Sequence, residues 1–288
     1  MLVDLVQMTT RDGLILHGAY SAPERSEFHS GVDALCLVHG TGSNFYGSAF
    51  LEAIAGGLAG LGLGVLRINT RGHDLVSTVS TQRGGKLQGA AYEVVDDCRH
   101  DLAGWLDWLR QKGFSRVGLL GHSLGAVKCL YAAAFEPQLE PACVLAVSPP
   151  RLSYEWFCRQ SQRDKFLETY RRAEELLQAG KGSELMLVPF PLPFLVTAGG
   201  YVEKYGPDER YNFLGFLRHV RCPVLATFGS VEIESNVAFM EAPQAVAELQ
   251  RPNVAVEVID GADHFYRGRH EELLQTIKRW LPSLQTDR

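Results

Sequence analysis

Short apolar runs recur along this chain, each followed by a stretch in which apolar residues return every three or four positions. The runs predict strands at about 34–39, 64–69, 116–121, 142–148, 222–228 and 254–259, and the stretches between them predict helices at about 48–61, 92–112, 124–135, 242–250 and 268–281. Strands that alternate with helices in this way are expected to form a parallel sheet covered on both faces, an α/β fold. Ahead of them, 3–10 and 14–20 flank Arg11-Asp12-Gly13 and read as a hairpin on an Asp-Gly turn. Residues 23–32 form a polar connection.

The alternation breaks once, between Ser148-Pro149-Pro150 and Cys222. The reading is therefore a core made of 1–148 and 222–288, with an insertion at 149–221. A helical, aromatic and charged run over 154–180 opens the insertion, and Pro189-Phe190-Pro191-Leu192-Pro193-Phe194 and Tyr201–Tyr205 follow. Connections longer than about 15 residues in compact domains usually form lids or carry function. Tyr154, Phe157, Phe190, Phe194 and Tyr201 are expected to face a pocket beneath such a lid; the alternative is that they only pack the lid together.

Gly121-His122-Ser123-Leu124-Gly125 carries the chemistry. It is a G-x-S-x-G sequence set between the strand ending near Leu120 and the helix beginning near Leu124. Small residues on both sides of a serine allow a sharp strand-to-helix turn that exposes the hydroxyl. After the run Ala34–Val38 comes His39-Gly40-Thr41-Gly42, whose glycines let the backbone turn and present amides. If Ser123 attacked a carbonyl, the N–H groups of Thr41 and Leu124 would be the donors to the resulting oxyanion. His264 follows the last strand and is the best general base among the nine histidines.

These motifs resemble the α/β-hydrolase superfamily over nearly the whole chain. The resemblance implies a mostly parallel central sheet flanked by helices, with a helical cap inserted before the penultimate strand, and the order nucleophile, acid, base along the sequence. The acid is expected just after the strand ending at Gly229, where the family typically carries aspartate three residues past the glycine. Here Glu232 holds that position, with Glu234 in reserve. Asn44-Phe45-Tyr46 and Lys204–Asp208 are similar to a branch that includes hydrolases of siderophore and related secondary-metabolite esters, and Tyr46 is a candidate to hydrogen-bond substrate. Arg71-Gly72-His73-Asp74 resembles a common loop of the superfamily, in which Arg71 is expected to pair with Asp74. His39 is expected to brace the oxyanion loop and His122 the turn at Ser123.

Composition narrows the alternatives. The 288 residues are 46% hydrophobic and 21% charged, enough for a large core. A net charge of −5 without a basic cluster argues against a nucleic-acid surface. The sequence has neither a long uncharged apolar span nor a signal-like start, so no membrane association is expected and the chain reads as cytoplasmic. Six cysteines lack the close paired spacing of a metal site. Asp96, Asp97 and Asp101 read as the solvated face of a helix, so no metal or cofactor is expected. The resulting expectation is a serine hydrolase that cleaves a small to medium carboxylic ester, apolar or aromatic, through an acyl-enzyme. A thioesterase, amidase or C–C bond hydrolase would use the same groups, and a ligand-binding protein of the same fold without turnover is the rival from another class. The oligomeric state is open.

Overall fold

The apolar runs become strands whose alternate side chains feed two hydrophobic layers. The computed structural model of the protein describes residues 2–284. β1 (Asp4–Thr9) and β2 (Leu14–Ser21) form the opening hairpin, with Thr9 opposite Ile15. Next come β3 (Ala34–Val38), α1 (Ala49–Gly60), β4 (Gly64–Ile68), β5 (Ser77–Thr81), β6 (Gly84–Gln88), α2 (Cys98–Gln111), β7 (Val117–His122), α3 (Leu124–Phe135) and β8 (Val144–Val147). The inserted segment holds α4 (Tyr154–Cys158), α5 (Arg163–Gln178), β9 (Leu185–Val188), β10 (Phe194–Thr197), α6 (Ala198–Tyr205) and α7 (Phe213–Phe216). β11 (Val224–Gly229), α8 (Ser230–Ser235), α9 (Ala242–Glu248), β12 (Val254–Ile259) and α10 (His270–Trp280) complete the chain.

Among the described residues the main sheet has ten strands, in the order β12-β11-β8-β7-β3-β4-β2-β5-β6 with β1 on β2. The strands from β12 to β4 run parallel, while β1, β2, β5 and β6 add antiparallel pairings at one end. Leu35, Leu37, Val65 and Leu145 turn toward Ile54 of α1 and Ile277 of α10. Their neighbours Cys36, Val38, Leu66 and Val144 turn the other way, toward Leu106 of α2 and Val127 of α3. Burial on both faces is why these strands read as continuous apolar runs rather than as an alternation.

The differences from expectation lie where local pattern is weak. The β5–β6 hairpin escapes the pattern because only Val79 and Gln88 of its ten residues are buried. The insertion is not purely helical, since β9 and β10 pair antiparallel within it. Its aromatic residues join the core layer on the α2 and α3 side of the sheet.

Two expectations about charges are corrected. Asp101 does not belong to a solvated face: it is 0% exposed and accepts hydrogen bonds from the Arg71 backbone N–H at 2.9 Å and from Nη2 at 2.8 Å. Arg71, itself buried after β4, pairs with Asp12, Asp97 and Asp101 and not with Asp74. A desolvated guanidinium needs carboxylates on several sides, and only tertiary packing brings them there, Asp12 from the β1–β2 turn and Asp97 and Asp101 from the start of α2. No described helix is long and apolar enough to cross a membrane.

Candidate active site

Ser123 sits in the turn between β7 and α3 with φ 57° and ψ −127°, a conformation rare outside glycine. The flanking glycines make the turn sterically possible. A Cβ on Gly121 would run into the Gly125 carbonyl, and a Cβ on Gly125 into the carbonyl oxygen of Val38. The strained turn lifts the hydroxyl off the carboxyl end of β7, at the N-terminus of α3, where backbone N–H groups and the helix dipole favour negative charge.

The hydroxyl meets His264 from the loop after β12, with Ser123 Oγ 3.1 Å from His264 Nε2. On the far side of the ring, His264 Nδ1 is 2.8 Å from Glu232 Oε2. With a carboxylate at Nδ1, that nitrogen carries the proton and Nε2 is free to accept from Ser123. Glu232 is buried at the third position of α8. Glu234 lies two residues further along the same helix, on its exposed side, and does not reach the ring.

A second set of groups holds the glutamate. Oε1 of Glu232 accepts from the Gly229 N–H at 2.8 Å and from Ser148 Oγ at 2.5 Å. Tyr266 OH lies 3.1 Å from Ser148 Oγ and 3.2 Å from Thr227 Oγ1. Burial first, then the neighbouring Glu232 charge, pushes the Tyr266 phenol well above its ordinary range, so it stays protonated. Ser148 has one proton and gives it to the carboxylate, so the Ser148 oxygen is left to accept from Tyr266. Neither Ser148 nor Tyr266 carries a sequence signal for this role.

The loop after β3 forms the opposite wall. His39 is fully buried, and burial lowers its pKa to about 3, with Lys128 adding to the shift. Its neutral ring donates from Nδ1 to the Gly40 carbonyl at 2.8 Å and accepts at Nε2 from the Thr70 N–H at 3.1 Å. A Cβ on Gly40 would come within 2.9 Å of Ser123 Cβ, so glycine permits the close approach of this loop. Thr41 and Leu124 both line the cavity beside Ser123. His122 is also neutral, its pKa lowered to about 3 by burial and then by His264, and it donates from Nε2 to the His264 carbonyl at 2.7 Å.

Ser123 and His264 open onto a cavity of about 520 Å³, whose walls include Pro150, Leu152, Pro191, Leu192 and Lys204 from the inserted segment. The six aromatics expected to contact substrate are not among its lining residues, which corrects that expectation. Tyr154, Phe157, Phe166 and Phe190 pack on one another with centroids 4.9–5.4 Å apart. Tyr201 stacks on Tyr205 and donates to the Phe190 carbonyl, and Phe194 lies beneath the Lys204 ammonium. Large rings in the inserted segment are needed first to pack it into the core layer it shares with α2 and α3. Tyr46 is 61% exposed and donates to Asp74, which also binds Asn44 and His73. The cavity is lined instead by Tyr205, from the Lys204–Asp208 segment, and by Asn236, Ala238 and Phe239, which no motif marks.

Comparison with known proteins agrees with this architecture. Residues 33–197 match the alpha/beta hydrolase fold family. No curated protein matches the chain. Est1E of Butyrivibrio proteoclasticus, solved with ferulic acid bound, is 17% identical at a TM-score of 0.65, covering 97% of this chain and 99% of its own. The esterase Pf2001 of Pyrococcus furiosus is 18% identical at 0.63, covering 99% of this chain and 92% of its own. The alpha/beta hydrolase GrgF of Penicillium sp. sh18 is 16% identical at 0.68, covering 98% and 99%. With the family match spanning more than half of its length and the same fold in these structures, the chain belongs to the alpha/beta hydrolase fold family.

Proposed function

We propose that the protein is a serine hydrolase that cleaves a carboxylic ester through an acyl-enzyme on Ser123. The observation that carries this reading is the unbroken series of hydrogen bonds from Glu232 through His264 to Ser123 at the wall of a cavity. A serine hydroxyl is a weak nucleophile until an adjacent base takes its proton. In this reading His264 Nε2 takes the Ser123 proton as Oγ attacks the ester carbonyl, and Glu232 stabilises the imidazolium that forms. The amides of Thr41 and Leu124 hold the oxyanion, and His264 then protonates the departing alcohol. Water, deprotonated by His264, releases the acid and restores Ser123.

Residues 149–221 act in this reading as a cap over the core formed by 1–148 and 222–288, because several of their residues wall the cavity. The apolar wall suits an acyl or alcohol portion of modest size. Est1E, an esterase of the same fold, holds ferulic acid, which accords with an ester substrate.

The test is labelling with a fluorophosphonate probe together with turnover of p-nitrophenyl esters of increasing acyl length. Labelling and turnover that disappear in Ser123→Ala are the expected result. Absence of both in the folded wild type would overturn the reading. Matched oxygen ester, thioester and amide substrates identify the leaving group.

A further inference from the structure

The cavity wall holds one cationic side chain that nothing neutralises in full. Lys204, on α6 of the inserted segment, is 2% exposed, lines the same cavity as Ser123, and its Nζ has no hydrogen-bond partner among the described residues. The Phe194 ring lies 5.6 Å from it and supplies only a cation–π contact.

The surrounding charges do not balance. Glu93 and Lys128 are fully buried and form an ion pair with each other. Two ammonium groups thus share the field of one buried carboxylate, while neutral His39 adds no charge. Glu203, the residue before Lys204 on α6, pulls on it more weakly than Glu93 and is itself engaged by Tyr211 and Arg210. Burial pulls Lys204 below the usual lysine range, Glu93 pulls it back, and Lys128 opposes it. No aspartate, glutamate or arginine lines the cavity, whose remaining wall there is largely apolar, with Leu152, Pro191, Leu192 and Phe239. A buried cation without an acceptor carries a large desolvation cost, which an anionic group entering the cavity would offset.

We propose that Lys204 is a specificity residue that reads a carboxylate carried by the substrate, so that the preferred ester is a monoanion held with its charge against the inserted segment. The inference rests on the reading of Ser123 as nucleophile, and its test separates the two. The substrates are p-nitrophenyl half-esters of dicarboxylic acids from succinate to suberate, each compared with the neutral straight-chain ester of equal length. One charge-assisted contact predicts that wild type favours the half-ester by roughly 10- to 100-fold in kcat/KM at its best length. In Lys204→Met that ratio falls to about one or below, and Lys204→Arg retains part of it.

Binding of monomethyl adipate to Ser123→Ala, measured by calorimetry, needs no turnover. Binding that vanishes in the Ser123→Ala, Lys204→Met double variant supports the anion site even where no ester is cleaved, which would leave only the nucleophile reading in error. Equal use of charged and neutral esters at every length, or a preference that survives in Lys204→Met, overturns the proposal. Should Lys204→Met fail to fold, Lys204→Gln gives the same comparison, and the wild-type ratio alone decides against the proposal where it is near one.

Discussion

Ser148 donates its hydroxyl hydrogen to Oε1 of Glu232 at 2.5 Å, while the other oxygen of the same carboxylate meets His264. Ser148 is fully buried at the end of β8 with φ 50°, and Tyr266, which bonds its hydroxyl, has φ 52°. Two residues in an uncommon backbone conformation therefore support the carboxylate. Glutamate is one methylene longer than aspartate and has more rotamers to lose. The Gly229 amide and Ser148 together hold its head group in one orientation.

Ser148→Ala removes one of these bonds and leaves the ring contact. A charge-assisted hydrogen bond of this kind predicts a fall in kcat of about tenfold, with KM nearly unchanged, because the loss falls on orientation of the base and not on substrate. Steady-state kinetics on a p-nitrophenyl ester reads both. Tyr266→Phe, one step further away, is expected to cost less.

Glu232→Gln and Glu234→Gln separate the two acidic candidates. An amide at position 232 no longer holds the Nδ1–H tautomer, and kcat is expected to fall by roughly three to four orders of magnitude. Glu234 is exposed and away from His264, so its variant stays within about twofold of wild type. The reverse ranking in kcat would reassign the acid.

Gly40→Ala places a methyl group 2.9 Å from Ser123 Cβ, so the loop carrying Thr41 must move. The φ of Gly40 is not in the left-handed region, so the cost to stability comes from this overlap alone, about 1–3 kcal/mol. In the proposed mechanism Thr41 is an oxyanion donor, and displacing it by part of an ångström predicts a loss of about a hundredfold in kcat. Thermal melting alongside kinetics distinguishes this from unfolding.

Arg71→Met leaves Asp101 as a buried carboxylate without its guanidinium. Breaking a buried ion pair from one side costs about 3–5 kcal/mol, which urea denaturation measures as a lower midpoint with an unchanged slope. The burial of Asp101 already raises its pKa against the pull of Arg71, so removing Arg71 is expected to leave it neutral at a higher pH than in wild type.

His39 and His122 set an acid limit on stability. Their folded pKa values, about 3, lie below the ordinary imidazole value of 6.5, so between these values the unfolded chain binds more protons than the folded one. Stability therefore rises with pH across that window and is lost as pH falls below 6.5, by up to about 1.4 kcal/mol per pH unit for each ring. Melting temperatures between pH 7 and pH 4.5 test this. Replacing His39 by Asn should flatten the curve in a variant that still folds; a melting temperature independent of pH in wild type would contradict the argument.

What the sequence determined by itself was whatever neighbouring residues dictate. Gly121 and Gly125 around Ser123 allow one kind of turn, apolar runs require strands buried on both faces, and the position of His264 after the last strand follows from chain order. The alpha/beta hydrolase fold was legible for that reason, and so was the ordering of Ser123, Glu232 and His264 along it. Tertiary structure alone decided which side chains face one another across distant segments. Ser148, just after β8, meets Glu232 on α8, Asp101 on α2 meets Arg71 after β4, and Lys204 rather than the six aromatics reaches the cavity. A buried aspartate and a solvated one carry the same letter, and so do an aromatic that packs a lid and one that lines a pocket. Burial is a property of what packs against a residue, and for these positions the packing partner lies tens of residues away.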